Sequence, residues 1–277
     1  MPINNLVVVS DLHVGCSLGL MHPSGARTDN DLVVAPSRLQ RKVWAWWTRF
    51  WREFVPMATK GDPFAVVING DSLDGVHHNS TTQWSHNLTD QAAMAKAILQ
   101  PVVEQCQGRF YMVRGTEAHV GKSAQEEERL AAELGAIPNS DGQYARWELW
   151  KLLGPKGQAL VHCLHHIGST GSQAYESTAV HKELIESFIE AGRWKRRMPD
   201  VVVRSHRHRY IEDTIATANG RATAVVTPAF QLKTPFAWRI PGARLAEPQI
   251  GGIVIRWHKY ELFVRPFVQS LERGKPE

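Results

Sequence analysis

Aspartate, glutamate and histidine side chains cluster at five places in this sequence, each directly after a run of apolar residues. The five places are residues 10–13, 70–75, 115–119, 165–166 and 205–208. Mixed carboxylate and imidazole ligands suit Mn, Fe or Zn better than Ca or Mg, which prefer oxygen ligands. The residue types therefore indicate a metal site assembled from several parts of the chain.

The spacing within these clusters favours more than one metal ion. Asp11 and His13 are two residues apart, as are His206 and His208, so each pair can point to one side of extended backbone. The clusters supply more ligands than one tetrahedral zinc ion needs. Two ions about 3.5–4 Å apart fit this supply, and such a pair clamps the attacking and leaving oxygens of a phosphoryl displacement. Neither a serine nor a cysteine nucleophile pattern accompanies them.

The apolar runs before the clusters predict strands buried on both faces. They are residues 3–10, 64–69, 110–113, 159–164 and 201–204. Helical patterns lie between them, at residues 37–55, 89–106, 123–134 and 175–191, which indicates an α/β architecture. The carboxyl ends of such strands converge on the ligand site. Later strands follow one another closely, so we expect a C-terminal antiparallel portion.

Length and composition predict one domain over residues 1–277. The 277 residues are 43% hydrophobic, enough for a sizeable core. We expect a Trp-rich helical insertion at about 37–58, whose tryptophans form a core-facing stripe or, alternatively, a membrane or partner surface. A proline-containing irregular loop at about 227–249 is long enough to be functional.

Four motifs occur in order along the chain. Residues 11–15 read D-x-H-x-G, residues 70–75 read G-D-x-x-D-G, His165 ends a strand, and residues 205–208 read [GS]-H-x-H. Together they resemble the calcineurin-like metallophosphoesterase superfamily over roughly residues 3–230. The resemblance implies a four-layer α/β/β/α sandwich with a two-metal site at the strand ends.

The resemblance also implies roles for individual residues. In our interpretation the candidate metal ligands are Asp11, His13, Asp71, Glu117, His165, His206 and His208. Asp71 would bridge both metals through its two oxygens, and Asp74 would support the ligands from outside. The cofactors would be two divalent ions, Mn²⁺ first, with Fe, Zn and Ni as alternatives.

One motif departs from the family pattern. Members usually carry G-N-H-[DE] after the third strand, whereas this chain reads Gly115-Thr116-Glu117-Ala118-His119. We expect Glu117 or Thr116 to supply the missing oxygen ligand and His119 to act as the acid toward the phosphate. Glu117 and His119 could instead form a solvated helix entry.

Other positions leave alternatives open. His166 rivals its neighbour His165 as a ligand and is otherwise a candidate for substrate contact. His77, His78 and His86 could reach substrate from the loop after Asp71 or lie on the surface.

Positive charge is concentrated in one segment. The chain has a net charge of +5, and residues 193–209 contain seven Lys or Arg residues and one acidic residue. We expect this segment near the metal edge, with Arg197 and Arg207 contacting substrate and DNA or RNA as a candidate partner. A solvated helix end is the alternative. The sequence names no protein partner.

These features predict a metal-dependent phosphoesterase, with a phosphodiester as the first candidate substrate. The alternatives are a phosphomonoesterase acting on a phosphoprotein or small molecule, and a phosphate-binding scaffold without turnover. The sequence lacks a membrane-spanning apolar run and a signal-peptide pattern, and it has three cysteines, so we expect a cytoplasmic protein without membrane association.

Overall fold

The protein's computed structural model describes residues 3–77, 80–121, 124–168, 172–218, 220–240 and 243–272. The strands are β1 (Asn5–Val9), β2 (Ala26–Arg27), β3 (Val33–Val34), β4 (Phe64–Asn69), β5 (Phe110–Val113), β6 (Ala145–Arg146), β7 (Glu148–Leu153), β8 (Ala159–Leu164), β9 (Val201–Arg204), β10 (Ile211–Thr217), β11 (Gly220–Val226), β12 (Ile250–His258) and β13 (Glu261–Gln269). The α-helices are α1 (Arg38–Arg49), α2 (Val55–Thr59), α3 (Leu88–Gln105), α4 (Glu117–Val120), α5 (Gln125–Glu133) and α6 (Glu176–Arg193).

Two β-sheets form the centre of the fold. The first has the order β13-β12-β1-β4-β5-β6, and the second has the order β10-β11-β9-β8-β7. Strands β1, β4, β5 and β6 run parallel, as do β8, β9 and β11. The antiparallel pairs are β1–β12 and β12–β13 in the first sheet and β7–β8 and β10–β11 in the second, and β12 and β13 form the predicted C-terminal portion.

The buried apolar residues divide into three layers of packing. One cluster lies between the sheets and includes Val8 and Val67 of the first sheet and Val161 and Val203 of the second. A second cluster joins the outer face of the first sheet to α1, α3 and α5, and a third joins α6 to the second sheet. The chain therefore has the four-layer α/β/β/α architecture that was expected.

The Trp-rich stretch is one continuous helical segment that packs against the core. Ser37 begins it with a capping box, because its hydroxyl accepts from Gln40 N while the Gln40 side chain accepts from Ser37 N. A π-helical turn, Phe50–Phe54, separates α1 from α2. Trp47 and Trp51 are buried, which is the core-facing arrangement.

Other coarse expectations can be compared directly. The cysteines Cys16, Cys106 and Cys163 are free and buried. Among the described residues, no helix has both the length and the apolar character needed to cross a bilayer. The irregular loop at 227–249 has no helix or strand in its described residues. The cytoplasmic location and the single-domain division stay predictions.

Phe230 connects the first helical layer to the site loops. Its ring is fully buried and lies edge-on to Trp47 at 4.8 Å, and its backbone N–H donates to Asp11 O at 3.0 Å. We expect Phe230→Ala to lower the free energy of unfolding by about 3–5 kcal/mol, because it leaves a cavity. Urea denaturation measures this. The partly exposed Phe263 is the control, and Phe263→Ala should cost about 1 kcal/mol or less; equal losses would contradict the role of Phe230.

Candidate metal centre

The loops that follow five strands meet at one edge of the two sheets. Backbone hydrogen bonds join them directly: Asp11 N donates to Gly70 O at 3.0 Å, His13 N to Asp71 O at 3.1 Å, and Ser205 N to His165 O at 2.9 Å. The carboxyl ends of β1, β4, β5, β8 and β9 therefore deliver their polar residues to one place, as the strand pattern predicted.

The first group of possible ligands contains Asp11, His13 and His208. One ligand atom from each lies within 4.8 Å of the others. His208 Nε2 is 3.2 Å from both Asp11 Oδ1 and His13 Nε2, and His13 Nε2 is 4.0 Å from Asp11 Oδ1. All three belong to the candidate metal ligands that the resemblance implied.

The second group contains Asp71, His165 and His206. Its ligand atoms also lie within 4.8 Å of one another, and His165 Nε2 is 3.1 Å from Asp71 Oδ2. His165 is buried in this group, whereas its neighbour His166 is exposed and does not belong to it. The geometry favours His165 over His166 as the ligand, while the His166 ring lies 5.7 Å from that of His206.

The oxygen that faces both groups belongs to Asp11. Its Oδ1 is 3.2 Å from His208 Nε2 and 4.0 Å from His165 Nε2. Asp71 was expected to span both metals, but its Oδ1 accepts from the backbone N–H of Thr116 at 2.7 Å and from the Thr116 hydroxyl at 3.0 Å. Its Oδ2 faces His165, so a bridge through both oxygens of Asp71 stays a prediction.

Five of the six residues in these two groups adopt left-handed backbone. The φ angles are 51° at Asp11, 45° at His13, 49° at Asp71, 72° at His206 and 54° at His208. Such angles are costly for residues with a Cβ, and they concentrate where a fold must aim side chains at a functional site. The strain thus coincides with the candidate ligands.

Glycines allow the loops to approach the ligands closely. A Cβ on Gly115 would lie 2.1 Å from Asp71 Oδ1, and one on Gly70 would lie 2.3 Å from His165 Nδ1. Neither separation is possible for real atoms. Glycine is therefore required at these positions if Asp71 and His165 are to keep their places.

Hydrogen bonds fix which nitrogen each histidine offers. His165 Nδ1 lies 2.7 Å from Asn69 O, and His13 Nδ1 lies 3.2 Å from Asp74 Oδ1. Because these oxygens only accept, each Nδ1 carries a hydrogen, and Nε2 is the nitrogen whose lone pair becomes available to a metal when the ring is neutral. The carboxylate behind His13 also matches the expected supporting role of Asp74. Gln83 and Gln231 donate to that carboxylate at 2.7 and 3.3 Å.

The electrostatics of the site favour added positive charge. The carboxylates of Asp11, Asp71 and Asp74 are all buried. Burial alone would raise the pKa of Asp71, but His165 and other neighbouring histidines hold it well below its usual value. Burial alone would lower the pKa of His165, but Asp71 and Asp11 raise it to about 10. Metal binding would release the protons that such histidines hold.

Divalent ions fit these residues. Ligand nitrogens around a tetrahedral ion at 2.0–2.1 Å lie about 3.4 Å apart, close to the 3.2 Å between His13 Nε2 and His208 Nε2. Asp11 Oδ1 and His165 Nε2 are buried and form no hydrogen bond within the described part of the chain. Buried polar atoms are normally satisfied, so these two are available for ligation.

The altered 115–119 motif does not act as expected at every position. Thr116 donates to Asp71 instead of offering a free ligand oxygen. Glu117 begins α4 as an exposed residue and lies outside the groups of possible ligands formed by the described residues. The geometry therefore does not support Glu117 as a metal ligand, because the helix start turns its side chain to solvent.

His119 points into the site, as its predicted role required. Its Nδ1 donates to Asp74 O at 2.7 Å, and its Nε2 lies 4.0 Å from Asp71 Oδ2. Burial and the nearby His13 lower the pKa of His119 to about 4. His119 is thus neutral near pH 7, with an unprotonated Nε2 that accepts a proton before it can donate one. With His13 and Asp74, it also forms a third group of possible ligands.

Glu127 is a site residue that sequence reasoning missed. It is fully buried on α5, accepts from Ser72 N at 2.9 Å and from the Ser72 hydroxyl at 2.7 Å, and accepts from Gly115 N at 2.7 Å. Burial, reinforced by the charge of Asp71, raises the pKa of Glu127. It joins the loop that carries Asp71 to the loop that carries Thr116. In the sequence, Glu127 is the middle one of three consecutive glutamates, so its residue type does not distinguish it from its neighbours.

A cavity of about 440 Å³ opens above the ligands. Its floor includes His13, Asp71, His206 and His208, and its sides include residues of the irregular 227–249 loop. Thr116, His119 and His77 also line it, whereas His86 is exposed and is not among its lining residues. His78 lies outside the described residues.

The first part of the basic segment, which contains Arg197, lies away from the site, and this corrects one expectation. The guanidinium of Arg197 donates to Gly157 O at 2.7 Å and to Asp200 at 3.2 Å, and these residues precede β8 and β9. The metal groups follow the same strands, and six residues of β8 at about 3.3 Å each separate the two ends. Arg197 is therefore not at the site. Arg207, which follows β9, does line the cavity.

Comparisons with known proteins give structural similarity only. No protein-family model matches the sequence, and no curated protein matches it. Vacuolar protein sorting 29 from Cryptosporidium parvum is 11% identical, with 98% of this chain and 100% of that chain covered and a TM-score of 0.35. SoxB, a sulfate thiohydrolase from Thermus thermophilus, is 13% identical, with 97% and 57% covered and a TM-score of 0.45.

A metallophosphoesterase from Sphaerobacter thermophilus is also similar. It is 9% identical, with 98% of this chain and 89% of that chain covered and a TM-score of 0.38. Values this low identify no activity. The four-layer fold implied by the sequence resemblance is confirmed by the strand order and by the packing of the two sheets.

Metal binding should be measurable as stabilisation. Mn²⁺ at about 100 times its dissociation constant should raise the melting temperature by about 5–10 °C, because it binds only the folded chain. Asp11→Asn should abolish the shift, since it removes the charged oxygen that faces both groups. The control is Asp31→Asn, an exposed residue with similar left-handed backbone. An unchanged shift in Asp11→Asn would contradict the assignment.

Glu127 should matter for both stability and metal content. Glu127→Gln places an amide where two backbone N–H groups and a hydroxyl donate, so we expect a loss of about 1–3 kcal/mol in unfolding free energy. Metal content by elemental analysis should fall with it. The neighbouring Glu126 pairs with Arg129 at the surface, and Glu126→Gln should change little. Normal metal content in Glu127→Gln would refute the role.

Proposed function

We propose that the protein is a metallophosphoesterase that hydrolyses phosphodiesters with two divalent metal ions, Mn²⁺ first and Fe, Zn or Ni as alternatives. One observation supports this most. Two adjacent carboxylate–imidazole groups share the floor of one cavity, and each contributes a buried donor atom that no described residue satisfies.

The proposed reaction assigns each group of side chains a task. Asp11, His13 and His208 would hold one ion, and Asp71, His165 and His206 the other. When bound, the ions would supply Lewis acidity that lowers the pKa of water and neutralises charge on the phosphoryl oxygens. Thr116 keeps Asp71 in place through two hydrogen bonds.

His119 would move the proton. Its Nδ1–H donates to Asp74 O, so the unprotonated Nε2 would accept the proton that the attacking water loses. The same nitrogen can then return the proton to the leaving oxygen. This replaces the simple acid expected from the sequence, because a histidine whose pKa is lowered starts the reaction unprotonated.

The size of the cavity suits a diester. Residues 80–82 and residues of the 227–249 loop both line it, and its volume of about 440 Å³ accommodates a phosphate with an organic group on each of two ester oxygens. A phosphomonoester carries only one such group. Arg207, Lys233 and Arg239 add positive charge around the cavity, which suits an anionic substrate.

Hydrolysis assays test the proposal. With Mn²⁺, the wild-type protein should hydrolyse methyl p-nitrophenyl phosphate faster than p-nitrophenyl phosphate. Asp71→Asn should abolish turnover, and His119→Ala should lower kcat by about 10²–10⁴, the usual contribution of proton transfer. His181, an exposed histidine paired with Asp213, is the matched control, and His181→Ala should retain full activity.

The alternatives give different results. Faster turnover of the monoester would favour a phosphomonoesterase. Metal uptake and phosphate binding without turnover of either ester would favour a phosphate-binding scaffold and would refute catalysis.

A further inference from the structure

The described residues of the 230–249 segment form part of the cavity lining, and both ends of the segment are hydrogen-bonded to the ligand loops. At its start, Phe230 N donates to Asp11 O at 3.0 Å and Leu232 N donates to Leu18 O at 2.9 Å. At its end, Gln249 N donates to His208 O at 3.0 Å. The segment is therefore positioned by the same backbone that positions Asp11 and His208.

Contacts within the segment also hold its shape. The Lys233 ammonium lies 3.5 Å from the ring centroid of Trp238 and donates to Arg244 O at 2.5 Å. Turn hydrogen bonds run from Arg239 N to Phe236 O at 2.9 Å and from Ala246 N to Ala243 O at 3.0 Å. An irregular segment with these contacts presents a defined surface.

That surface is mainly apolar where it faces the cavity. The apolar lining residues it contributes are Leu232, Pro235, Phe236, Ala237, Ile240, Ala243, Ala246 and Pro248. Phe236 is the aromatic residue among them, and it is 52% exposed. A hydrated phosphate gains nothing from such a wall, so the wall suits an organic part of the substrate.

A second part of the cavity lining is different in character. Ser80, Thr81 and Thr82 belong to it, and the Ser80 and Thr82 hydroxyl oxygens lie 2.8 Å apart. Hydroxyl groups can both donate and accept hydrogen bonds. The cavity thus has a metal-ligand floor, an apolar wall that includes one aromatic ring, and a hydrogen-bonding wall.

We infer that the substrate is a small phosphodiester with one planar aromatic group, of the kind a nucleoside carries, and that Phe236 stacks on this group. The inference rests on the proposed function and narrows its substrate class. The volume of about 440 Å³ falls within the range of small-molecule sites. The basic 193–197 segment, which could have served a nucleic-acid polymer, lies at the opposite end of β8 and β9.

Two esters with the same leaving group test the inference. Thymidine 5′-p-nitrophenyl phosphate and methyl p-nitrophenyl phosphate differ only in the group that is retained. We expect kcat/KM to favour the thymidine ester by about tenfold or more, since stacking a base on an aromatic side chain has about this effect. Phe236→Ala should remove the preference, because it lowers kcat/KM for the thymidine ester far more than for the methyl ester, whereas Phe236→Tyr should keep it.

Leu245 supplies the matched control. It belongs to the same segment, is 76% exposed and is not among the cavity-lining residues, so Leu245→Ala should keep the thymidine preference. A preference that survives in Phe236→Ala would overturn the inference. So would a wild-type enzyme that hydrolyses both esters equally, although that result would leave the phosphodiesterase proposal standing.

A binding measurement separates the two proposals if neither ester is hydrolysed. Calorimetry with thymidine 5′-monophosphate and with inorganic phosphate on the Mn²⁺-loaded protein should show tighter binding of the nucleotide, and Phe236→Ala should equalise them. Equal affinities in the wild-type protein would overturn the inference. Binding of a ten-residue oligothymidylate at least tenfold tighter than the mononucleotide would point to a polymer and would also overturn it.

Discussion

The burial of three aspartates at one sheet edge is the constraint that shapes this site. A buried carboxylate is costly unless hydrogen bonds and positive charge compensate it. Asp11 Oδ2 accepts from the Ser10 hydroxyl at 2.5 Å and from His206 N at 3.3 Å, and Asp71 accepts from Thr116. These hydrogen bonds satisfy one side of each carboxylate. The other side faces histidines, and a carboxylate and a histidine can ligate the same divalent ion.

The sheets explain why this burial is possible. Parallel strands place their carboxyl ends at one edge, so loops from distant parts of the chain reach the same few ångströms. The loops then turn through left-handed backbone at the ligands, which is sustained because hydrogen bonds such as Asp11 N to Gly70 O hold both sides. Glu127 adds a buried link between two of them. The packing of the loops therefore sustains the strained backbone conformations that point the ligands toward the site.

Much of this could be predicted from sequence because its signals are local. The buried strands are short apolar runs, and β4, β5, β8 and β9 have the predicted bounds. Strand β10 was missed, since its sequence IEDTIAT mixes polar and small residues and its place depends on pairing with β11 and packing against α6. The role of Glu127 and the position of Arg197 depend on which strand end a residue reaches, and spacing along the chain does not encode that.

The 115–119 motif shows how a changed sequence can keep a site intact. An asparagine would offer a neutral oxygen, whereas Thr116 instead donates two hydrogen bonds to Asp71 and so fixes a ligand it does not replace. Glu117 then turns outward at the start of α4, and one more helical step brings His119 over Asp71 and Asp74. His119 stands two residues later in the sequence than the family's histidine. It still reaches the cavity because the short helix α4 shortens the distance that these residues span. The chemistry depends on where Nε2 lies, and the helix, not the motif spacing, determines that.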